Sequence, residues 1–449
     1  MRPLKKAANE ALKRVVIGKQ SLYGWGLAAT GALGLPEFMA PESDHQFVRR
    51  LVRQPKWLNI LRDQTVRELA CGHGFSLFVV RSSASGKQRH SVYGSGLNTN
   101  GQLGWQPGAK GGKSSQWLWE PAPLQIAASG DTSHERVVNC AAGRGHALFV
   151  MDNGDVFASG LNAQGQCGRA IVDSEDYASA TAGFTRVDLP STSAATHGRV
   201  VGAVCGLDHS LLLTERGRVW AFGCGLDGQL GTDEPLICSR PHVVCGNDFD
   251  RQHVHQLSCA ADTVLALSTH GTVYGWGNNE HEQLIKNGPP TVGLPRQIDF
   301  TPKDDDTAAS ASRIVSVAAG GSACAALTAD GRVLLRGFGI AGHGPHVMDT
   351  RGDTLLLPPA LFGQTLAADA GARRERAIVR QLYAGLMHFA AVTELGQLYV
   401  WGNNRFALLG LGHEHDQYFP FLVGGIDAPI RRVAFGTGHA LVLTGDRQA

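Results

Sequence analysis

At 449 residues the chain is long enough for two or three ordinary domains or for one large closed structure. Lys and Arg together number 41 against 39 for Asp and Glu, which excludes a global electrostatic pull toward nucleic acid or an anionic membrane and leaves room only for local patches. No apolar run reaches the length of a bilayer-spanning helix, and the 57 glycines sit in recurring turns rather than in a low-complexity tract.

Residues 1–20 differ from the rest. Arg2, Lys5, Lys6, Lys13, Arg14 and Lys19 face a single acid, Glu10, while Leu4, Ala8, Ala11, Leu12 and Val15 fall at helical spacing. The pattern suits a mitochondrial targeting segment, and it also suits a basic helix capping the domain that follows.

From residue 21 to 449 the chain repeats itself, and the repeat decides the fold. One half begins at Leu22, Val92, Val156, Val219, Val273, Val333 and Leu398, and its clearest copy is Val273-Tyr274-Gly275-Trp276-Gly277-Asn278-Asn279. Gly26, Gly96, Gly160, Gly223, Gly277, Gly337 and Gly402 are equivalent; Gly at a fixed place predicts a turn with positive φ or a close backbone approach. The other half is Gly-x-x-His followed by an apolar strand, with its histidines at His146, His209, His388 and His439. Phe75, Thr263 and Ala323 stand in the histidine slot of the three remaining copies.

Apolar runs such as Leu211-Leu212-Leu213 predict strands buried on both faces. A unit of a few strands cannot cover both faces of its own sheet, so packing radially against neighbours predicts a seven-bladed all-β propeller. The ends are out of phase: the chain starts on the aromatic half and stops on the Gly-His half. The last blade is therefore expected to be built from both termini, closing the ring.

Four inserts interrupt the pattern. Residues 36–67 carry Arg49, Arg50, Arg53, Lys56, Trp57, Arg62 and Arg67. Residues 105–120 carry Trp105, Trp117 and Trp119 with Lys110 and Lys113, a combination suited to stacking single-stranded RNA bases and holding phosphates, or to packing a loop on the propeller. Residues 302–312 hold the run Asp304-Asp305-Asp306, and residues 344–380 end in Arg373, Arg374, Arg376 and Arg380. The expected RNA or partner contacts are Arg49, Arg50, Lys110, Lys113, Trp117, Trp119, Arg373, Arg374 and Arg376, all placed outside the repeat strands.

The two halves in alternation resemble the repeat of the regulator of chromosome condensation family over nearly the whole chain after about Leu22. That resemblance also implies a seven-bladed propeller. Gln166-Cys167-Gly168-Arg169, the stretch from Gly337 to Pro345, Pro358-Pro359-Ala360-Leu361-Phe362-Gly363 and Asp416-Gln417-Tyr418-Phe419-Pro420 are similar to a mitochondrial member of that family. The resemblance implies a location in the matrix or peripherally at the inner membrane. It implies two roles: a scaffold for large-subunit rRNA modification and mitoribosome assembly, contacting that rRNA and pseudouridylation factors, or a guanine-nucleotide exchange factor for the dynamin-like GTPase of inner-membrane fusion. No DNA partner is expected.

Catalytic chemistry is not legible. Gly337-Phe338-Gly339-Ile340-Ala341-Gly342 fits G-x-G-x-x-G, but Gly344-Pro345 follows where a dinucleotide fold needs a helix. The four histidines are spread over different repeat units with no carboxylate or Cys at ligand spacing, which predicts hydrogen bonding to backbone within each blade rather than a metal site. No cofactor is expected. The nine Cys form no C-x-x-C pair, and Cys71, Cys205 and Cys259 share one repeat position, which predicts reduced thiols filling a packing slot.

Overall fold

The computed structural model describes residues 20–36, 51–61, 64–82, 89–107, 114–126, 136–177, 179, 183–190, 193–302, 312–363 and 378–445. They form seven four-stranded antiparallel sheets. In chain order these are blade one (Gln64–Cys71, Phe75–Ser82, Arg89–Leu97 and Trp117–Leu124), then blades two (137–186), three (200–243), four (254–298), five (314–357) and six (379–422). Blade seven joins Ile430–Phe435 and His439–Thr444 to Leu22–Leu27 and Leu51–Trp57. The expected closure through both termini is therefore present, with Leu22 opposite Leu443 and Gly26 opposite His439.

Each blade is built alike for physical reasons that recur. The second strand is buried along its whole length in blades two, four, five, six and seven, because neighbouring blades cover both of its faces. Blades touch mainly through their first two strands, which places these nearest the axis. The repeat glycines have φ between 98° and 118°. A Cβ at Gly277 would come within 2.1 Å of the Asp262 carbonyl oxygen, and that same oxygen accepts a hydrogen bond from the Asn278 N–H at 2.8 Å. A side chain there would meet both a forbidden backbone angle and a steric clash.

The following turn is pinned from inside. Asn98, Asn162, Asn279 and Asn404 are buried, and the side-chain oxygen of each accepts from the N–H five residues on, at Leu103, Cys167, Leu284 and Leu409. At the residue just before the repeat glycine, a side chain donates to the turn of the preceding blade. Trp25 Nε1 reaches Leu408 O at 2.6 Å, Ser95 Oγ reaches Ala32 O, Ser159 Oγ reaches Gln102 O and Trp276 Nε1 reaches Gln229 O. Two blades depart from it: blade three has Phe222 in the slot, which has no donor, and in blade six the Trp401 Nε1 is buried without an acceptor among the described residues.

The inserts are not all loops. Leu51–Trp57 and Trp117–Leu124 are the outermost strands of blades seven and one, so Arg53, Lys56, Trp57, Trp117 and Trp119 lie on strands rather than outside them. These edge strands share little sequence because one side faces solvent. They do share a proline at the bulge opposite the repeat glycine, where a missing N–H costs least. Pro241, Pro295 and Pro420 each stand 18 residues past Gly223, Gly277 and Gly402, a signal that would have located the fourth strands of blades three, four and six.

Candidate partner-binding face

The Gly-x-x-His segments, and their counterparts ending in Phe75, Thr263 and Ala323, connect the first and second strands of each blade and gather around the channel mouth. Their backbones are stitched together from blade to blade: His73 N–H donates to Gly143 O, Arg144 N–H to Leu207 O, Leu207 N–H to Ala261 O and Gly321 N–H to Leu386 O. The channel they surround is narrow, about 90 Å³, and Cys71, Cys205 and Cys259 line it. The shared cysteine position borders this channel and also fills the expected packing slot, with Cys71 inside a buried cluster and Cys205 and Cys259 packed against two others. All nine cysteines are free thiols.

The histidines explain the glycine three residues before them. A Cβ at Gly143, Gly206 or Gly385 would lie 2.0–2.2 Å from the following imidazole's Cε1, so the ring is seated on a bare backbone. At Gly72 the Phe75 ring takes that seat. In blade five the slot holds Ala323, and a Cβ at the corresponding Gly320 would lie 3.2 Å from the Phe389 ring of the next blade, which partly fills the volume.

The expected backbone bond within a blade is not what the imidazoles make. His146 Nε2 bonds Ser210 Oγ at 3.0 Å and His439 Nε2 bonds Ser76 Oγ at 2.8 Å, each serine on the next blade. His209 and His388 face Val264 and Ala440 at the equivalent place and lack that partner. Burial pushes His146 and His439 down to about 3 and His209 and His388 to about 4, so all four are neutral inter-blade spacers near neutral pH.

Around the mouth the surface combines apolar and acidic groups. Leu226 and Met387 are each 56% exposed, and Phe338 stacks on His281 with centroids 4.8 Å apart. Asp208 pairs with Arg144 at 2.5 Å. Asp262 accepts from Gln229 Nε2 at 2.9 Å, and its carboxyl is pushed up to about 6, first by burial and then by the Asp227 carboxylate. Among the described residues, no group of three or more His, Cys, Asp or Glu is placed to hold a metal ion, and no helix is long and apolar enough to cross a membrane.

Of the contacts expected from sequence, Arg49, Arg50, Lys110, Lys113, Arg373, Arg374 and Arg376 lie outside the described residues. Trp119 is half-buried: a Cβ at Gly31 of blade seven would come 3.2 Å from its ring, so it packs the seam between blades seven and one. Trp117 is 41% exposed and Trp105 38%. They flank a hairpin closed by Ser115 N–H to Gln106 O and by the pairing of Pro107 with Ser114. Leu226, Met387 and Asp262 escaped the sequence reading because they sit inside repeat motifs whose regularity suggested structure alone.

A ring of seven blades bearing this paired motif, with the Gly-x-x-His loops at one mouth, defines the regulator of chromosome condensation class of propeller, and the chain belongs to that family. The family's repeat, Regulator of chromosome condensation (RCC1) repeat, matches residues 216–267, 270–327 and 396–443, and a second form of the same repeat matches 137–166, 200–229 and 254–283.

Within the family the chain is similar to the mouse protein named RCC1-like G exchanging factor-like protein, 36% identical over 431 residues that cover 94% of this chain and 87% of that one. The human protein of the same name is 35% identical over 430 residues, covering 94% and 86%. The crystal structure of human WBSCR16 superposes with a TM-score of 0.81 at 33% identity, covering 95% of this chain and all of that one.

Proposed function

We propose that the protein is a noncatalytic platform of the mitochondrion whose channel-mouth face docks a guanine-nucleotide-binding protein and favours its nucleotide-free state. The observation that carries this is the face itself: rigid loops tied from blade to blade, presenting Leu226, Met387 and Phe338 beside the half-buried carboxylates Asp208 and Asp262. Exchange needs no catalytic side chain, only tighter binding of the empty partner than of the loaded one. The name of the mouse and human relatives supports the reading. The dynamin-like GTPase of inner-membrane fusion is the first partner to test. Nucleotide release from it should be faster with the parent chain and lose that acceleration with Leu226→Arg and Met387→Arg; no acceleration by the parent removes this partner.

A second reading is a scaffold for large-subunit rRNA modification and mitoribosome assembly, meeting that rRNA and pseudouridylation factors. Its support is the blade-one hairpin, where Trp105 and Trp117 are exposed at the base of a segment containing Lys110 and Lys113. Crosslinking in mitochondria should recover large-subunit rRNA with the parent chain and less with Trp105→Ala and Trp117→Ala. Absence of rRNA from the parent would leave protein contacts as the only route to the ribosome.

A further inference from the structure

Blade five places an arginine where blades four, six and seven place a tryptophan. Arg336 occupies the slot of Trp25, Trp276 and Trp401 and is 7% exposed. It keeps the slot's usual task, since Nη1 donates to Leu284 O of the preceding blade at 2.8 Å. Its other donors go to Thr354 Oγ1, at 3.3 Å from Nε and 3.0 Å from Nη2, and to the Asp299 carbonyl. The guanidinium lies 5.3 Å from the Phe300 ring centroid. Among the described residues no carboxylate bonds it. Its hydrogen-bond acceptors are all neutral and the Asp299 and Asp353 carboxylates act on it only through space, so burying the charge is costly where a tryptophan would hold the blade without it.

The charge instead forms one wall of a pocket of about 310 Å³ between blades four and five, lined also by Lys286, Gln297, Asp299, Thr301, Asp353 and Thr354. The two acids in the lining act on Arg336 through space, and their hydrogen bonds go to other groups. Asp299 accepts from the N–H and hydroxyl of Thr301, and Asp353 accepts from Lys286 Nζ at 2.5 Å. Because Thr354 Oγ1 accepts twice from Arg336, its own hydroxyl proton remains available. Arg336, Thr354, Gln297 and Lys286 all line the pocket and carry donors, one of those on Lys286 already given to Asp353.

We propose that this pocket binds a ligand through a single phosphate group. A tetrahedral oxyanion can take several donors at once, and a guanidinium is suited to hold it. The adjoining groove, about 550 Å³, sets the rest of the ligand. Glu280, Glu282, Asp349 and Asp353 outnumber Lys286 and Arg351 there. A second phosphate would be repelled, so the body of the ligand is neutral or cationic and a nucleoside triphosphate is disfavoured. The phosphate is either that of a small metabolite or that of a phosphorylated side chain. This site is separate from the channel mouth and does not depend on the exchange reading.

The test uses the full chain at constant ionic strength, with inorganic phosphate, glycerol phosphate and a neutral phosphoserine peptide as probes and chloride and acetate as controls. Phosphate should raise the melting temperature by several degrees at millimolar concentration, where acetate and chloride do not. Tighter binding of glycerol phosphate than of inorganic phosphate points to a metabolite, and tighter binding of the peptide points to a modified protein. Arg336→Trp restores the residue of the sister blades and should fold while losing the phosphate response. Lys286→Met changes an exposed side chain and should weaken binding about tenfold with the fold intact. The proposal is overturned if phosphate stabilises no more than acetate does, or if folded Arg336→Trp responds like the parent. Should Arg336→Trp not fold, an unchanged response in Lys286→Met overturns it equally.

Discussion

Blades four and seven have the same four-stranded plan and the same buried tryptophan, yet they are held in different ways. Blade four is one continuous stretch, and its second and third strands are joined by the turn Thr269-His270-Gly271-Thr272, where Thr272 N–H donates to Ser268 Oγ at 3.1 Å. In blade seven that turn is replaced by the two ends of the described chain. Ser21 N–H donates to Thr444 Oγ1 at 3.2 Å, and Thr444 N–H donates to Ser21 O at 2.9 Å. The hydrogen bonds of the turn are reproduced without the peptide that elsewhere carries them. Blade seven thus closes a ring with side-chain and backbone contacts alone, and it bears the loop-closure entropy of the whole propeller.

The largest expected break in this comparison is deletion of residues 22–34. It removes the third strand of blade seven and Trp25, which is fully buried, and it exposes the strand His439–Thr444 along one edge. The domain should lose cooperative unfolding in a denaturant titration. Deleting residues 1–13 should leave the melting temperature unchanged. Equal melting of the two truncations would show that closure does not depend on the N-terminal strand.

Next in size are the repeat glycines. Gly277→Val drives a Cβ into the Asp262 carbonyl, and Gly26→Val drives one into the Gly438 carbonyl, where the contact would be 2.5 Å. Each should cost about 3 kcal/mol from strain and displaced backbone. The blade-seven variant should also unfold faster, because its strand pair has no covalent turn to hold it during opening. Stopped-flow unfolding of the two variants measures the difference.

Acid should separate the two blades as well. The seam leaving blade seven contains His439 on Ser76, whereas blade four has Thr263 in that slot. His439 has a folded value of about 3, below its ordinary 6.5, so the unfolded chain binds the proton first. Its contribution is complete above 6.5 and is lost as pH falls from there toward about 3. His146, His209 and His388 act in the same direction, each by about 1 kcal/mol between pH 7 and 5.5. Asp262, raised to about 6, has the opposite sign, because protonation relieves its burial cost as pH falls through that value. His439→Phe, which copies the Phe75 seat over Gly72, should flatten the pH dependence of the denaturant midpoint by about one histidine's share.

The smallest effect should come from the turn hydroxyls. Thr328→Val removes a bond to Arg332 N–H inside a covalent turn and should cost about 1 kcal/mol. Thr444→Val removes the matching bond between the chain ends and should cost more, since no peptide keeps Ser21 in reach. Equal midpoints for the two would mean that the ends are fixed by packing alone.

Much of this architecture was legible in residue order alone. The sevenfold Gly and the out-of-phase ends are local chain facts, since a positive φ and a missing half-repeat are properties of short stretches. Seven blades, their buried second strands and the shared closing blade followed from them. The fourth strands of blades seven and one were not legible, because Leu51–Trp57 and Trp117–Leu124 have one covered side and share only a bulge proline at unequal spacings from the repeat glycine. Tertiary structure alone decided that His146 and His439 reach serines on the next blade, that the packed cysteine position also borders the channel, and that Trp119 packs a seam while Trp117 stays exposed. It also decided what Arg336 does: the sequence shows an arginine in a tryptophan slot, but the carbonyls that hold it and the pocket it faces come from residues as distant in the chain as Leu284 and Thr354. Residue order determines backbone angles and strand periodicity because these are properties of neighbours. Partners across a ring are set only when the ring closes.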